Sequence, residues 1–249
     1  MTDRDPTKKK NITIYLTGFG PFRDHTQNSS WVIVSSFLPH TTIPTETHTI
    51  TLQPHPHWLK VAYATVTAEV PPLHSAAPDD DNKFDYILHV GLGMAGEYHL
   101  ERRAFEDGYV FGDVDGKVPG GADAAPERGI MLSEGAERRE PGGREFGCAL
   151  DVPWIVEGVE KFQPEETPGK EVPIKVSDDA GRFLCEFIYY TSLKAACEKE
   201  GNGKLKSEKV LFMHVPPLVE PFGIETGRRV LIEVVKGMVK AGEERKVIS

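Results

Sequence analysis

Strand-like and helix-like segments alternate along this chain. The pattern predicts an α/β fold: one domain over residues 11–243, with a largely parallel, twisted sheet and helices on both faces. Three observations carry that expectation. Short apolar runs recur with β periodicity, amphipathic stretches of helical period lie between them, and the composition is that of an ordinary globule. With 249 residues, 39% hydrophobic and 27% charged, the chain is long enough for one large α/β domain, and wholesale disorder is excluded.

The first strand is expected at 12–17, where Ile12, Ile14 and Leu16 alternate, and further strands at 47–52, 86–90, 172–176 and 210–214. A helix over 29–38 carries Trp31, Val34 and Leu38 and stops at Pro39. A second, at 57–70, carries Leu59, Ala62, Tyr63, Val66 and Val70 and stops at Pro71-Pro72. A third covers 153–162, and a fourth, 180–199, places Leu184, Ile188, Thr191 and Ala195 on one face. Near the C-terminus Val230, Leu231, Val234, Val235, Met238 and Val239 recur at helical spacing.

Residues 1–10 read as a polar tail without a signal-peptide core. No apolar run approaches the roughly 18 residues of a membrane-spanning helix. Gly and Pro number 24 and 19, and residues 112–147 hold nine and three of them. That stretch reads as a loop-rich insertion within the domain, a surface excursion without catalytic duty. The net charge of −9 argues against nucleic acid and acidic membranes as partners, since phosphate binding needs clustered cations. Three cysteines give no disulfide framework. Cys185 and Cys197 would lie roughly 18 Å apart along one helix, too far to bridge. The expectation is a reducing, cytoplasmic location.

Gly91-Leu92-Gly93-Met94-Ala95-Gly96 has the form of a dinucleotide fingerprint. It follows the third strand, however, and the charges of Glu97, Glu101, Arg102 and Arg103 crowd the place where an apolar helix should pack. It reads as a glycine-rich loop turning the chain at the sheet's carboxyl edge. Thr17-Gly18-Phe19-Gly20-Pro21-Phe22 follows the first strand, where open α/β sheets bind ligands. Its two rings are either walls of a ligand slot or packing beneath a neighbouring loop.

Cys185 falls in the first turn of a helix behind the Ser177-Asp178-Asp179 N-cap signal, where the helix dipole favours a thiolate. A buried, inert cysteine is the commoner case. His214 ends the strand Val210–Met213 at the same sheet edge, and with Cys185 it would make a nucleophile–base pair. Glu101 is the candidate third member that fixes the imidazole tautomer. The nine histidines show no metal spacing; His55-x-His57 lacks a third ligand.

These segments together resemble the pyroglutamyl-peptidase I family of cysteine peptidases, in a eukaryotic-like form. The resemblance rests on Thr17–Phe22, Asn28-Ser29-Ser30-Trp31, His89-Val90-Gly91 leading to Leu100-Glu101, Ser177–Cys185 with Tyr189–Leu193, and His214–Leu218. They come in the family's order and cover about a quarter of the chain. The resemblance implies a triad of Glu101, Cys185 and His214 and an apolar pocket for the pyroglutamyl ring. The pocket would have Phe19, Phe22 and Phe183 as aromatic walls and Asn28 supporting its loop. It implies peptides with an N-terminal pyroglutamate as partners, and no cofactor or metal. Two positions depart from the family. Leu92 stands where many bacterial members carry a glutamine, leaving that position a backbone contact only. Phe111 stands near the place of a bacterial arginine. Two other readings stay open: another thiol amidohydrolase for small cyclic or acylated amines, and a non-catalytic binding module whose cysteine is inert or redox-sensing.

Overall fold

The computed structural model describes residues 9–22, 26–75, 83–124, 143–160, 172–219 and 221–248, the backbone alone at 160 and 244–248. β1 (Lys10–Gly18) lies parallel to β3 (His48–Pro54) on one side and to β4 (Tyr86–Leu92) on the other. β10 (Val210–Val215) continues parallel to β4. β5 (Tyr98–Glu101) then runs antiparallel to β10, and β8 (Ile174–Ser177) lies parallel to β5 at the edge. At the opposite edge β2 (Thr41–Pro44) is antiparallel to β3. The sheet order is β2-β3-β1-β4-β10-β5-β8. A second, small sheet joins β6 (Arg103–Phe105), β7 (Glu145–Cys148) and β9 (Lys206–Ser207) in the order β6-β7-β9.

Side-chain alternation divides the interior into two cores. Ile12, Ile14, Leu16, Leu211, Met213 and Val215 point to one face, where α1 (Ser29–Ser35), α3 (Val152–Glu160) and α5 (Ile224–Ile248) cover them. Val210 and Phe212 point to the other, under α2 (Tyr63–Glu69) and α4 (Leu184–Glu200). The expected doubly covered, mostly parallel sheet is what the chain forms.

Several boundaries differ from expectation for identifiable reasons. Residues 57–62 are not helical. Leu59 and Val61 bury side chains at period two, and Leu59 bridges Phe19, with Gly20 N donating to Leu59 O at 2.9 Å. α4 begins at Leu184 because Gly181 (φ 100°) and Arg182 (φ 53°) are left-handed and no α-helix runs through them. Within the 112–147 stretch the described part is tied down. Asp113 is buried, and its carboxylate accepts from Tyr63 N, Asp115 N and Lys117 N at 2.9–3.0 Å. Glu145–Cys148 is a strand. Residues 125–142 of the expected insertion, the tail residues 1–8 and the end of the helix expected at 153–162 lie outside the described residues.

Candidate active site

Strand parity brings the first two groups together. Phe212 pairs with Glu101 and His214 with His99 across the antiparallel β10–β5 ladder, so Glu101 stands diagonal to His214 on one sheet face. Tyr98 and Leu100 point into the opposite core, which turns Glu101 toward α4. Glu101 is 1% exposed. His214 Nδ1–H donates to Glu101 Oε1 at 2.8 Å, and Tyr189 OH donates to the Glu101 main-chain carbonyl at 2.9 Å.

α4 supplies the sulfur. No side chain caps this helix; its N-cap is Phe183, not the Ser/Asp cluster. Ser177 ends β8, and Asp179 instead holds the turn by accepting from Gly181 N at 3.1 Å. Cys185, second residue of α4, stands close enough to the His214 ring to raise its pKa, and the two border the same cavity. Two glycines make the room. A Cβ at Gly91 would lie 2.9 Å from Cys185 Sγ and 2.7 Å from Phe212 Cζ, and one at Gly93 would lie 2.7 Å from His214 Cβ. The Gly91-x-Gly93 pattern therefore marks close packing of the triad candidates against the β4 end. Gly91 and Leu92 are strand residues, not a loop. Burial disfavours a charged His214, but the adjacent Cys185 and Glu101 outweigh it and hold the imidazole's pKa above its ordinary value.

Phe19, Phe22, Leu92, Phe183 and Asn28 line one cavity of about 530 Å³ with Cys185, His214 and Glu101. All eight site residues expected from the sequence thus border the same space. The Phe22 and Phe183 rings lie 5.5 Å apart. Asn28 fixes the loop that carries Phe19 and Phe22. Its Nδ2 donates to Gly20 O at 3.0 Å, and its Oδ1 accepts from Ser30 N and Ser30 Oγ, capping α1. Ser30 Oγ accepts in turn from Phe19 N.

Sequence reasoning missed Val61, Met94 and Ala180 as lining residues. It also missed a buried ion pair behind the nucleophile. Glu186, fully buried, accepts from Phe105 N and Arg182 N at 3.0 and 2.9 Å and pairs with the Arg182 guanidinium. The pair pins the left-handed turn that aims α4. An opposite-charge pair four residues apart at a helix start was the available signal. The reading of His55-x-His57 as lacking a third ligand is corrected. Glu69, at the end of α2, brings a carboxylate to the two rings, with ligand atoms all within 4.8 Å of one another.

No family model matches the sequence. Among curated proteins, the chain is 30% identical over 238 residues to pyroglutamyl-peptidase 1 of Mus musculus, covering 92% of both chains. It is 28% identical over 236 residues to the Homo sapiens protein, covering 93% of this chain and 91% of the relative. Among solved structures, the pyrrolidone carboxyl peptidase from Thermococcus litoralis aligns with a TM-score of 0.64 at 19% identity, covering 94% of this chain and 96% of its own. That from Thermus thermophilus aligns at 0.58 and 19%, covering 90% and 99%.

Proposed function

The chain belongs to the pyroglutamyl-peptidase 1 family, and we propose that Cys185, His214 and Glu101 are its nucleophile, general acid/base and orienting carboxylate. It is a cysteine peptidase that hydrolyses the amide after an N-terminal pyroglutamate and releases the free lactam acid. The observation that carries the residue roles is the grouping itself: Glu101 2.8 Å from His214 Nδ1, and Cys185 beside the same ring at an apolar cavity.

The chemistry follows from that arrangement. The Cys185 thiolate attacks the pyroglutamyl carbonyl, and the imidazolium of His214 gives its proton to the departing amine. Neutral His214 then takes a proton from water, whose oxygen attacks the thioester. Collapse of that intermediate frees pyroglutamate and restores the thiolate–imidazolium pair. Glu101 keeps the Nδ1–H tautomer and stabilises the cation. The uncapped main-chain N–H groups at the start of α4 are the oxyanion donors, each worth about 3 kcal/mol in the barrier.

Specificity comes from neutrality. A slot between Phe19, Phe22 and Phe183 accepts a flat lactam, but desolvates the charged amine of an N-terminal proline without giving it a partner. The catalytic thiol must stay reduced, and none of the three cysteines is in a disulfide; we therefore assign the protein to the cytoplasm. No helix among the described residues is long and apolar enough to cross a membrane.

Hydrolysis of fluorogenic pyroglutamyl, prolyl and glutaminyl arylamides tests this reading. Turnover of the pyroglutamyl compound alone, abolished in Cys185→Ser, is expected. Turnover of another amide instead would make the protein a different thiol amidohydrolase, and none under reducing conditions would make it a binding module.

A further inference from the structure

We infer that His55, His57 and Glu69 form a binding site for a borderline divalent transition-metal ion of the Zn2+ type, separate from the Cys185 centre. His55 lies just beyond β3, 8% exposed, with the Tyr15 ring edge-on at 5.9 Å. Its Nδ1 is 2.7 Å from the main-chain oxygen of His57. A carbonyl only accepts, so Nδ1 carries a proton, and in the neutral ring Nε2 is the nitrogen with the lone pair. That Nε2 faces Glu69 Oε2 at 3.5 Å. A neutral imidazole nitrogen and a carboxylate oxygen facing each other in this way can share a cation between them.

The second imidazole completes the set. The His55 and His57 rings stand 4.4 Å apart, nearly perpendicular. Ligand atoms of both and of Glu69 fall within 4.8 Å of one another. Tetrahedral Zn2+ with bonds of about 2.1 Å needs ligands roughly 3.4 Å apart. The contraction required is small, and it falls on the exposed His57 and half-buried Glu69. The His57 carbonyl holding His55 Nδ1–H is the usual outer partner of a metal-binding imidazole. Two imidazoles and one carboxylate suit Zn2+ and its neighbours better than Ca2+ or Mg2+.

The test removes the competing thiol. Cys185→Ser protein is titrated with Zn2+ by calorimetry, and its melting temperature is followed with and without the ion. One Zn2+ per chain and a rise in melting temperature are expected. In Cys185→Ser carrying His57→Ala, an exposed position, or Glu69→Gln, affinity should fall by about 10–100-fold or more and the rise should vanish. Absence of saturable binding overturns the inference, as does binding that the His57 and Glu69 variants leave unchanged. Neither result bears on peptidase activity, because no turnover is read.

Discussion

Replacing Gly91 with alanine places a methyl group where the Cys185 sulfur and the Phe212 ring already stand. The new Cβ would meet Phe212 Cζ at 2.7 Å and Cys185 Sγ at 2.9 Å, whereas carbon atoms pack at about 3.5–4.0 Å. Relief therefore needs displacements approaching 1 Å. Phe212 is fully buried against Tyr189, with ring centroids 5.8 Å apart, and has little room to move. The half-buried Cys185 is the freer of the two. Overpacking of this size costs about 1–3 kcal/mol of stability. A sulfur displaced by about 1 Å from the line of attack costs on the order of 10²-fold in rate. Thermal melting, with kcat and KM on a pyroglutamyl arylamide, reads both effects. The expected outcome is a large fall in kcat with a small change in KM. Gly96→Ala is the control, since its Cβ meets nothing within 4 Å while its φ of 90° imposes backbone strain alone. Gly91→Ala protein with wild-type kcat would refute the placement of the sulfur against β4.

Three further outcomes follow from the same geometry. Glu101 and Cys185 hold the His214 pKa up, so the ring stays cationic through neutral pH and activity declines only as pH rises through that elevated value. In Glu101→Gln the alkaline limb of kcat/KM should move to lower pH; an unmoved limb would contradict the pairing. The stability from this cation is present below the ordinary histidine pKa and is lost as pH rises through the elevated one. Asn28→Ala removes an α1 cap worth about 1 kcal/mol and frees Gly20 O, so KM should rise more than kcat falls, read by steady-state kinetics. Glu186→Ala leaves the buried Arg182 with only the longer ion pair to Asp179 at 3.6 Å, and chemical denaturation should report a loss of up to about 3–5 kcal/mol.

The sequence exposed those parts of the fold whose burial follows a simple period. β1, β3, β4, β8 and β10 were legible because their apolar residues alternate or run on. β5 was not, because Tyr98 and Leu100 are interleaved with His99 and Glu101. Those polar side chains break the apolar run, and Glu101 among them is buried beside His214. β2, a short antiparallel edge with Thr41 and Ile43 half-buried, carries almost no pattern of its own. At the site, the eight residues expected from sequence share one cavity. Their setting was hidden: the spacing role of Gly91 and Gly93, the left-handed Arg182 and its pairing with Glu186 are products of tertiary packing. Glu69 escaped notice for a similar reason, being twelve residues from His57 and adjacent to it only through the fold.

Whether sulfur, imidazole and carboxylate work as a unit is decided most directly by kcat/KM on a pyroglutamyl arylamide for Cys185→Ser, His214→Ala and the double variant. Groups that act together lose nearly everything at the first substitution. Each single variant should therefore fall about as far as the double. Losses that multiply, or a His214→Ala enzyme close to wild type, would contradict the relay.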